Sequence, residues 1–133
     1  MEQFWRKGAS FINWYFNKLN TNPEDLEIVY NNDSIVQFNN RTFQGRNEEG
    51  KLKIIEYLCS PDMKKAKYKI VDYTTQPSIE NCIFIMVQGY VIPDETHPEV
   101  DQSFDFSIFV HLAKQDNAFL VLNQFYAISE DLD

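Results

Sequence analysis

Glycine and proline are scarce, with 4 Gly and 5 Pro in 133 residues. Extended disorder is therefore not expected. No Gly-rich phosphate-binding loop occurs, so nothing supports a nucleotide cofactor. Only two histidines are present, His97 and His111, and neither sits in a nucleophile motif. The two cysteines, Cys59 and Cys82, lie far apart, with no CxxC pair and no His-rich spacing. That excludes the usual zinc patterns and points to free core thiols in a reducing compartment. No apolar stretch approaches the ~20 residues needed to span a bilayer. The opening residues are amphipathic rather than an apolar leader. A soluble, intracellular protein is expected.

Positive charge is also in short supply. Twelve Lys and Arg stand against 20 Asp and Glu, a formal net charge of −8. Phosphate backbones and anionic lipids repel such a domain, so neither direct nucleic-acid binding nor membrane insertion is expected. A basic protein partner suits it better, although net charge alone does not locate a site.

Aromatics are abundant: 11 Phe, 7 Tyr and 2 Trp. Each buries a large area, which suits a sheet wrapped around a pocket or an adhesive interface. The length fits a single domain, 1–133, with room for a real core.

Phe4, Phe11, Ile12, Tyr15, Phe16 and Leu19 recur at helical spacing, which predicts an amphipathic helix over about residues 2–20. Asn22-Pro23-Glu24 opens a second helix, with Leu26, Val29 and Tyr30 on its apolar side. Asn39-Asn40 joins two short strands, 34–38 and 41–44, in a tight hairpin. A third helix is expected over Lys51–Leu58, limited by Pro61. Residues 65–75 alternate weakly. Residues 81–92 form a nearly continuous apolar run, read as a strand buried on both faces. Phe104, Phe106, Ile108, Val110 and Leu112 alternate with Asp105, Ser107, Phe109 and His111. A final strand covers about 118–128. The fold class is α+β, with N-terminal helices packed on one face of an antiparallel sheet.

Catalytic candidates are few. Asp72, with Tyr68, Tyr73 and Tyr90 near it in sequence pattern, would act as a base if an apolar cone raised its pKa. An outward, solvated Asp72 is the simpler reading. Asp94-Glu95 can receive a partner's Lys or Arg, or be an ordinary turn. Phe4 and Trp5 are either core staples or interface anchors. The chain is not expected to be an enzyme, and no metal site or cofactor is expected.

Short segments kept in one order carry a resemblance: Ser10-Phe11-Ile12 with Tyr15, Tyr30, Ile35–Gly45, Gln76-Pro77, Cys82–Gly89 and Leu122–Tyr126. Together, from about Phe4 to Ile128, they resemble the nuclear transport factor 2 family. The resemblance implies a cone-shaped domain with a bent sheet that dimerises through its sheet faces. It implies a non-enzymatic factor of the cytoplasm, nucleus and nuclear pore that binds Ran-GDP and the Phe-Gly repeats of nucleoporins. By position, the Ran pocket falls on Phe38, Ile70, Val91 and Tyr126, with Asp94 and Glu95 on its rim. The usual rim acids are absent at Asn39 and Thr96. Repeat binding falls on Phe4 and Trp5, and the dimer contact on Met86, Phe106 and Ile108. Two relatives give alternatives: the small subunit that heterodimerises with an mRNA export receptor and, more distantly, ketosteroid isomerase-like enzymes.

Overall fold

The computed structural model describes residues 2–96, 102–115 and 118–132, without the side chains of 2–4 and 115. Helix α1 spans Glu2–Thr21, and a 3₁₀ helix follows at Pro23–Val29. Strands β1 (Ile35–Phe38) and β2 (Arg41–Gln44) form the hairpin. Two short helices come next, α2 (Lys53–Leu58) and α3 (Pro61–Lys65). Four long strands complete the chain: β3 (Lys67–Pro77), β4 (Cys82–Ile92), β5 (Phe104–Gln115) and β6 (Ala118–Ile128). They form one six-stranded sheet in the order β2-β1-β6-β5-β4-β3.

Phe11, Ile12, Tyr15, Phe16 and Leu19 are all buried. Their 3.6-residue period points one face of α1 at the sheet. From the sheet, Ile83, Ile85, Val87, Val91, Phe106, Ile108, Val110, Val121 and Tyr126 meet that face, and all are buried. At the end of α1, the Asn20 side chain pins the helix to the sheet. Its Nδ2 donates to the Tyr68 carbonyl at 2.9 Å, and its Oδ1 accepts from the Tyr68 N–H at 2.7 Å.

Close packing needs glycine at two positions, one between α1 and the sheet and one between neighbouring strands. A Cβ on Gly8 would lie 2.4 Å from Thr75 Cγ2, and one on Gly89 would lie 2.0 Å from the Lys69 carbonyl oxygen. Gly89 stands opposite Ile70, beside the register shift between Ile70 and Asp72. A bulge there bends the strands more sharply than a regular ladder allows. The sheet consequently curls over α1.

Several expectations are corrected. The second helix is 3₁₀, and the third begins at Lys53. Pro61 does not simply stop a helix. It opens α3 from the first helical position, where its missing N–H is harmless. β4 is not buried on both faces: Ile83, Ile85 and Val87 point inward, while Phe84 and Tyr90 are exposed on the other side. One pairing is parallel, β1 with β6. Cys59 and Cys82 are half-buried rather than core thiols. His97 lies outside the described residues. At the Asn39-Asn40 turn, Asn39 takes φ +53°, as the hairpin reading required.

Candidate interaction sites

The outer face of the sheet is apolar and open. The registers align Met86, Phe109 and Phe125 in one row across β4, β5 and β6. A second row holds Phe84, His111 and Asn123, with Ile35 of β1 beside Asn123. Phe84 is 40% exposed, Phe109 46% and Phe125 43%. His111 stacks on Phe84 at 4.4 Å between ring centroids, and its Nε2 lies 3.1 Å from Ser78 Oγ. Ring ladders of this size left in water mark an association surface.

The dimer residues expected from sequence divide between the two faces. Met86 lies on this outer face, half-buried. Phe106 and Ile108 do not: they are 3% and 0% exposed and point at α1. Phe106 stacks on Phe16 at 6.1 Å. Strand alternation separates 106 and 108 from 107 and 109, and burial fixes which pair faces the helix. Phe84, Phe109 and Phe125 are exposed aromatic residues of the outer face that sequence reasoning left without a role.

Phe38, Val91 and Tyr126 share the opposite, inner side, and each is buried. Phe38 stacks on Tyr126 with centroids 4.6 Å apart. Tyr57 of α2 meets Phe38 edge-on at 5.2 Å and stacks on Phe43 at 4.8 Å. The Arg41 guanidinium lies over the outer side of Tyr57, 5.5 Å from its centroid. Phe38 is thus the floor of an aromatic pile rather than the wall of an open pocket. Ile70 lies apart, 36% exposed at the bulge of β3.

The acidic turn follows β4. Asp94 is half-buried and Glu95 exposed. Asp94 Oδ1 accepts from the Thr96 backbone N–H at 3.0 Å and from its hydroxyl at 2.5 Å. This is a local side-chain turn, and Thr96 serves to orient the carboxylate. Asn39 has a structural task as well. Its Oδ1 accepts from the Ile128 N–H at 2.8 Å, and its Nδ2 donates to Asp131 Oδ1 at 3.1 Å. Asp131 therefore places a carboxylate beside the turn that lacks one of its own.

Between α1 and the sheet runs a chain of phenols that sequence reading did not assemble. Tyr30 donates to Gln124 Oε1 at 2.5 Å, and the Tyr15 and Tyr30 hydroxyls are 2.7 Å apart. Tyr15 also bonds the Tyr126 hydroxyl. Each hydroxyl has one proton. The order of donation is therefore Tyr126 to Tyr15 to Tyr30 to Gln124. Burial pushes the phenols of Tyr30, Tyr68 and Tyr126 well above their ordinary pKa, and that of Tyr15 upward. All four remain neutral at physiological pH. Tyr68 OH and Gln124 Nε2 are buried without a partner among the described residues. No signal in the sequence joins positions 15, 30, 124 and 126, because only the fold brings them together.

Asp72, the residue considered as a buried base, is exposed, and its carboxylate accepts from the Tyr73 N–H at 2.8 Å. Tyr73 and Tyr90 are also exposed. Trp5 is 48% exposed on the first turns of α1. Phe4 is in the same helix, but its side chain lies outside the described set. Among the described residues, no three His, Cys, Asp or Glu side chains gather to hold a metal ion. None of the described helices is long and apolar enough to cross a membrane.

Known proteins share this architecture. The Nuclear transport factor 2 (NTF2) domain model matches residues 7–128. Nuclear transport factor 2 of Saccharomyces cerevisiae is 26% identical over 122 residues, covering 90% of each chain. The structure of nuclear transport factor 2 from Cryptosporidium parvum superposes with a TM-score of 0.80 at 24% identity, covering 96% of this chain and 95% of that one. The Candida albicans Mtr2–Mex67 M domain complex contains a similar fold, with a TM-score of 0.68 at 11% identity over 91% of this chain and 93% of the other.

Proposed function

The chain belongs to the nuclear transport factor 2 domain family, and on that footing we propose that it is a non-enzymatic nucleocytoplasmic transport factor. In this reading it works as a homodimer, binds Ran-GDP and the Phe-Gly repeats of nucleoporins, and moves between cytoplasm and nucleus through the pore. The observation that carries it is the match along nine-tenths of the length of a yeast protein named for this transport. The outward-facing Met86–Phe109–Phe125 row supports dimerisation, because a second copy would cover it by an isologous contact.

Ran recognition falls on the Phe38 pile and the carboxylates of Asp94, Glu95 and Asp131. An aromatic side chain from Ran enters by displacing Tyr57, the half-buried ring over Phe38. Burying one such ring contributes ~1.5–3 kcal/mol, and an exposed rim ion pair ~0–1 kcal/mol. Pocket entry therefore dominates affinity, and the rim acids guide orientation. Trp5, with Phe4 beside it in sequence, is the proposed contact for nucleoporin repeats.

A second reading draws support from the closed pile over Phe38. A small subunit that pairs with an mRNA export receptor has no use for an open Ran pocket and needs only the outer sheet face. Titration against Ran-GDP and Ran-GTP, with solution mass measured in the same buffer, separates the two. GDP-selective binding by a homodimer upholds import. Failure to bind either form rejects import and favours the export partner. The enzymatic alternative has lost its proposed base, since Asp72 is solvated.

A further inference from the structure

Strand β3 is an outer strand: among the described strands only β4 pairs with it. In an antiparallel ladder alternate residues turn their N–H and C=O groups to opposite sides. Tyr68 turns both groups toward the Asn20 side chain, away from β4. Ile70, two residues on, faces the open side as well. The register shift between Ile70 and Asp72 moves the alternation by one residue, which turns Tyr73, Thr75 and Pro77 outward. The strand is 11 residues long, and Ile70, Val71, Tyr73, Thr74 and Thr75 are all strong strand formers. Val71, in the bulge, is 71% exposed. A long edge of this composition is a template for another strand.

Two side chains of the same molecule already occupy that edge. The Asn20 carboxamide donates to the Tyr68 carbonyl at 2.9 Å and accepts from its N–H at 2.7 Å. It thus offers one donor and one acceptor, as a residue of an incoming strand would. The end of α1 holds it in place, and Lys67 Nζ donates to the Asn20 carbonyl at 2.7 Å. Beyond the bulge, Asp72 Oδ1 accepts from the Tyr73 N–H at 2.8 Å. Pro77 has no N–H to offer. Among the described residues, the outward N–H groups of Ile70 and Thr75 are the ones left uncovered.

We propose that Asn20 and Asp72 are edge plugs, which hold the strand-pairing groups of β3 and so keep a second copy of this chain from adding to the sheet there. The bulge singles out the occupant. The outward residues run Tyr68, Ile70, Tyr73, Thr75, with an extra residue in the middle step. A regular strand has no such step and loses register across it. The same strand of a second copy, laid antiparallel, has the step in the same place: Tyr68 meets Thr75 and Ile70 meets Tyr73, each twice over. Every one of these pairings includes Tyr68 or Tyr73, so a plug at each of those two residues blocks all of them. The proposal does not depend on the transport reading.

The test is the solution mass of the full chain over a range of concentrations, with folding checked by circular dichroism. The doubly substituted Asn20→Ala, Asp72→Ala chain should reach at least about twice the parent mass, because two edges join by an isologous contact. Deuterium exchange should slow at the Ile70 and Thr75 amides as it does so. Adding Val71→Lys, at the exposed bulge, sets like charges beside each other across the new contact and should restore the parent mass. Asp72→Ala alone, at an exposed position, frees the two central pairings and should already raise the mass. It carries the test if Asn20→Ala does not fold. The proposal is overturned if the folded double variant keeps the parent mass, or if Asp72→Ala does so where the double variant does not fold. It is also overturned if Val71→Lys leaves the association unchanged, or if exchange slows at Phe109 and Phe125 instead of at β3.

Discussion

Phe38 and Tyr126 lie face to face, 4.6 Å apart and 21° from parallel, with both rings excluded from solvent. The pair joins β1 to β6 and forms the floor on which Tyr57 rests. Phe38→Ala should therefore cost about 3–5 kcal/mol of stability through the cavity it leaves, measured by denaturant titration. A loss below about 1 kcal/mol would contradict the packing described.

The outer face makes a separate prediction. Phe109→Asp puts a charge in the middle of the Met86–Phe109–Phe125 row without touching the core. The variant should fold and sediment as a monomer, with dimerisation weakened about 100-fold or more because an isologous contact counts the change twice. A variant that remains as dimeric as the parent would place the interface elsewhere.

Gly89→Ala tests the bend. The added methyl would meet the Lys69 carbonyl oxygen at 2.0 Å and Phe106 at 2.9 Å. Backbone cannot yield as a flexible side chain does, so a loss of about 3 kcal/mol or more is expected, seen as a large drop in thermal midpoint. An unchanged midpoint would mean that the strands are further apart at this point.

The periodicity of α1, the Asn39 turn and the alternation of β5 were all legible in the sequence, because each is set by neighbours within a few positions. What failed depended on distant context. The apolar outer residues Phe84, Met86 and Tyr90 made β4 look two-sided, since hydropathy reports what a strand tolerates and not what covers it. Phe106 and Ile108 were placed outward by resemblance, whereas the contact with Phe16 turns them inward. Pro61 signals both an end and a start, and only the observed Pro61–Lys65 turn decides between them. Phe38, Val91 and Tyr126 share the buried inner side, but sequence could not show Tyr57 lying edge-on over Phe38.

Alkaline pH should destabilise the protein through its buried phenols. Burial raises the folded-state pKa of Tyr15, Tyr30, Tyr68 and Tyr126 above the unfolded value. Their contribution is intact below about pH 10. Above it, the unfolded chain releases protons that the folded chain retains. Stability then falls by about 1.4 kcal/mol per pH unit for each tyrosine until its folded-state pKa is reached. Denaturant titrations on either side of pH ~10, paired with near-ultraviolet tyrosinate absorbance, would show whether ionisation and unfolding coincide. Ionisation of these phenols in the intact fold would disprove their burial.

Two conservative substitutions divide that cluster. Tyr15→Phe removes the link between Tyr126 and Tyr30 and should cost about 1–3 kcal/mol. Tyr68→Phe removes a hydroxyl with no partner among the described residues, so it should cost less than about 0.5 kcal/mol or stabilise the protein. Equal losses in thermal or chemical unfolding would show that Tyr68 belongs to the same bonded chain.

The parallel pairing of β1 with β6 sets Ile35 against Asn123 and Phe38 against Tyr126. During synthesis the β1–β2 hairpin leaves the ribosome long before the strand it must lie against. Until β6 is made, one edge of that hairpin presents unsatisfied amides and carbonyls to the cell. Sheet completion is therefore a late, long-range closure, and a nascent chain stalled before residue 118 would be the form most exposed to chaperones and aggregation.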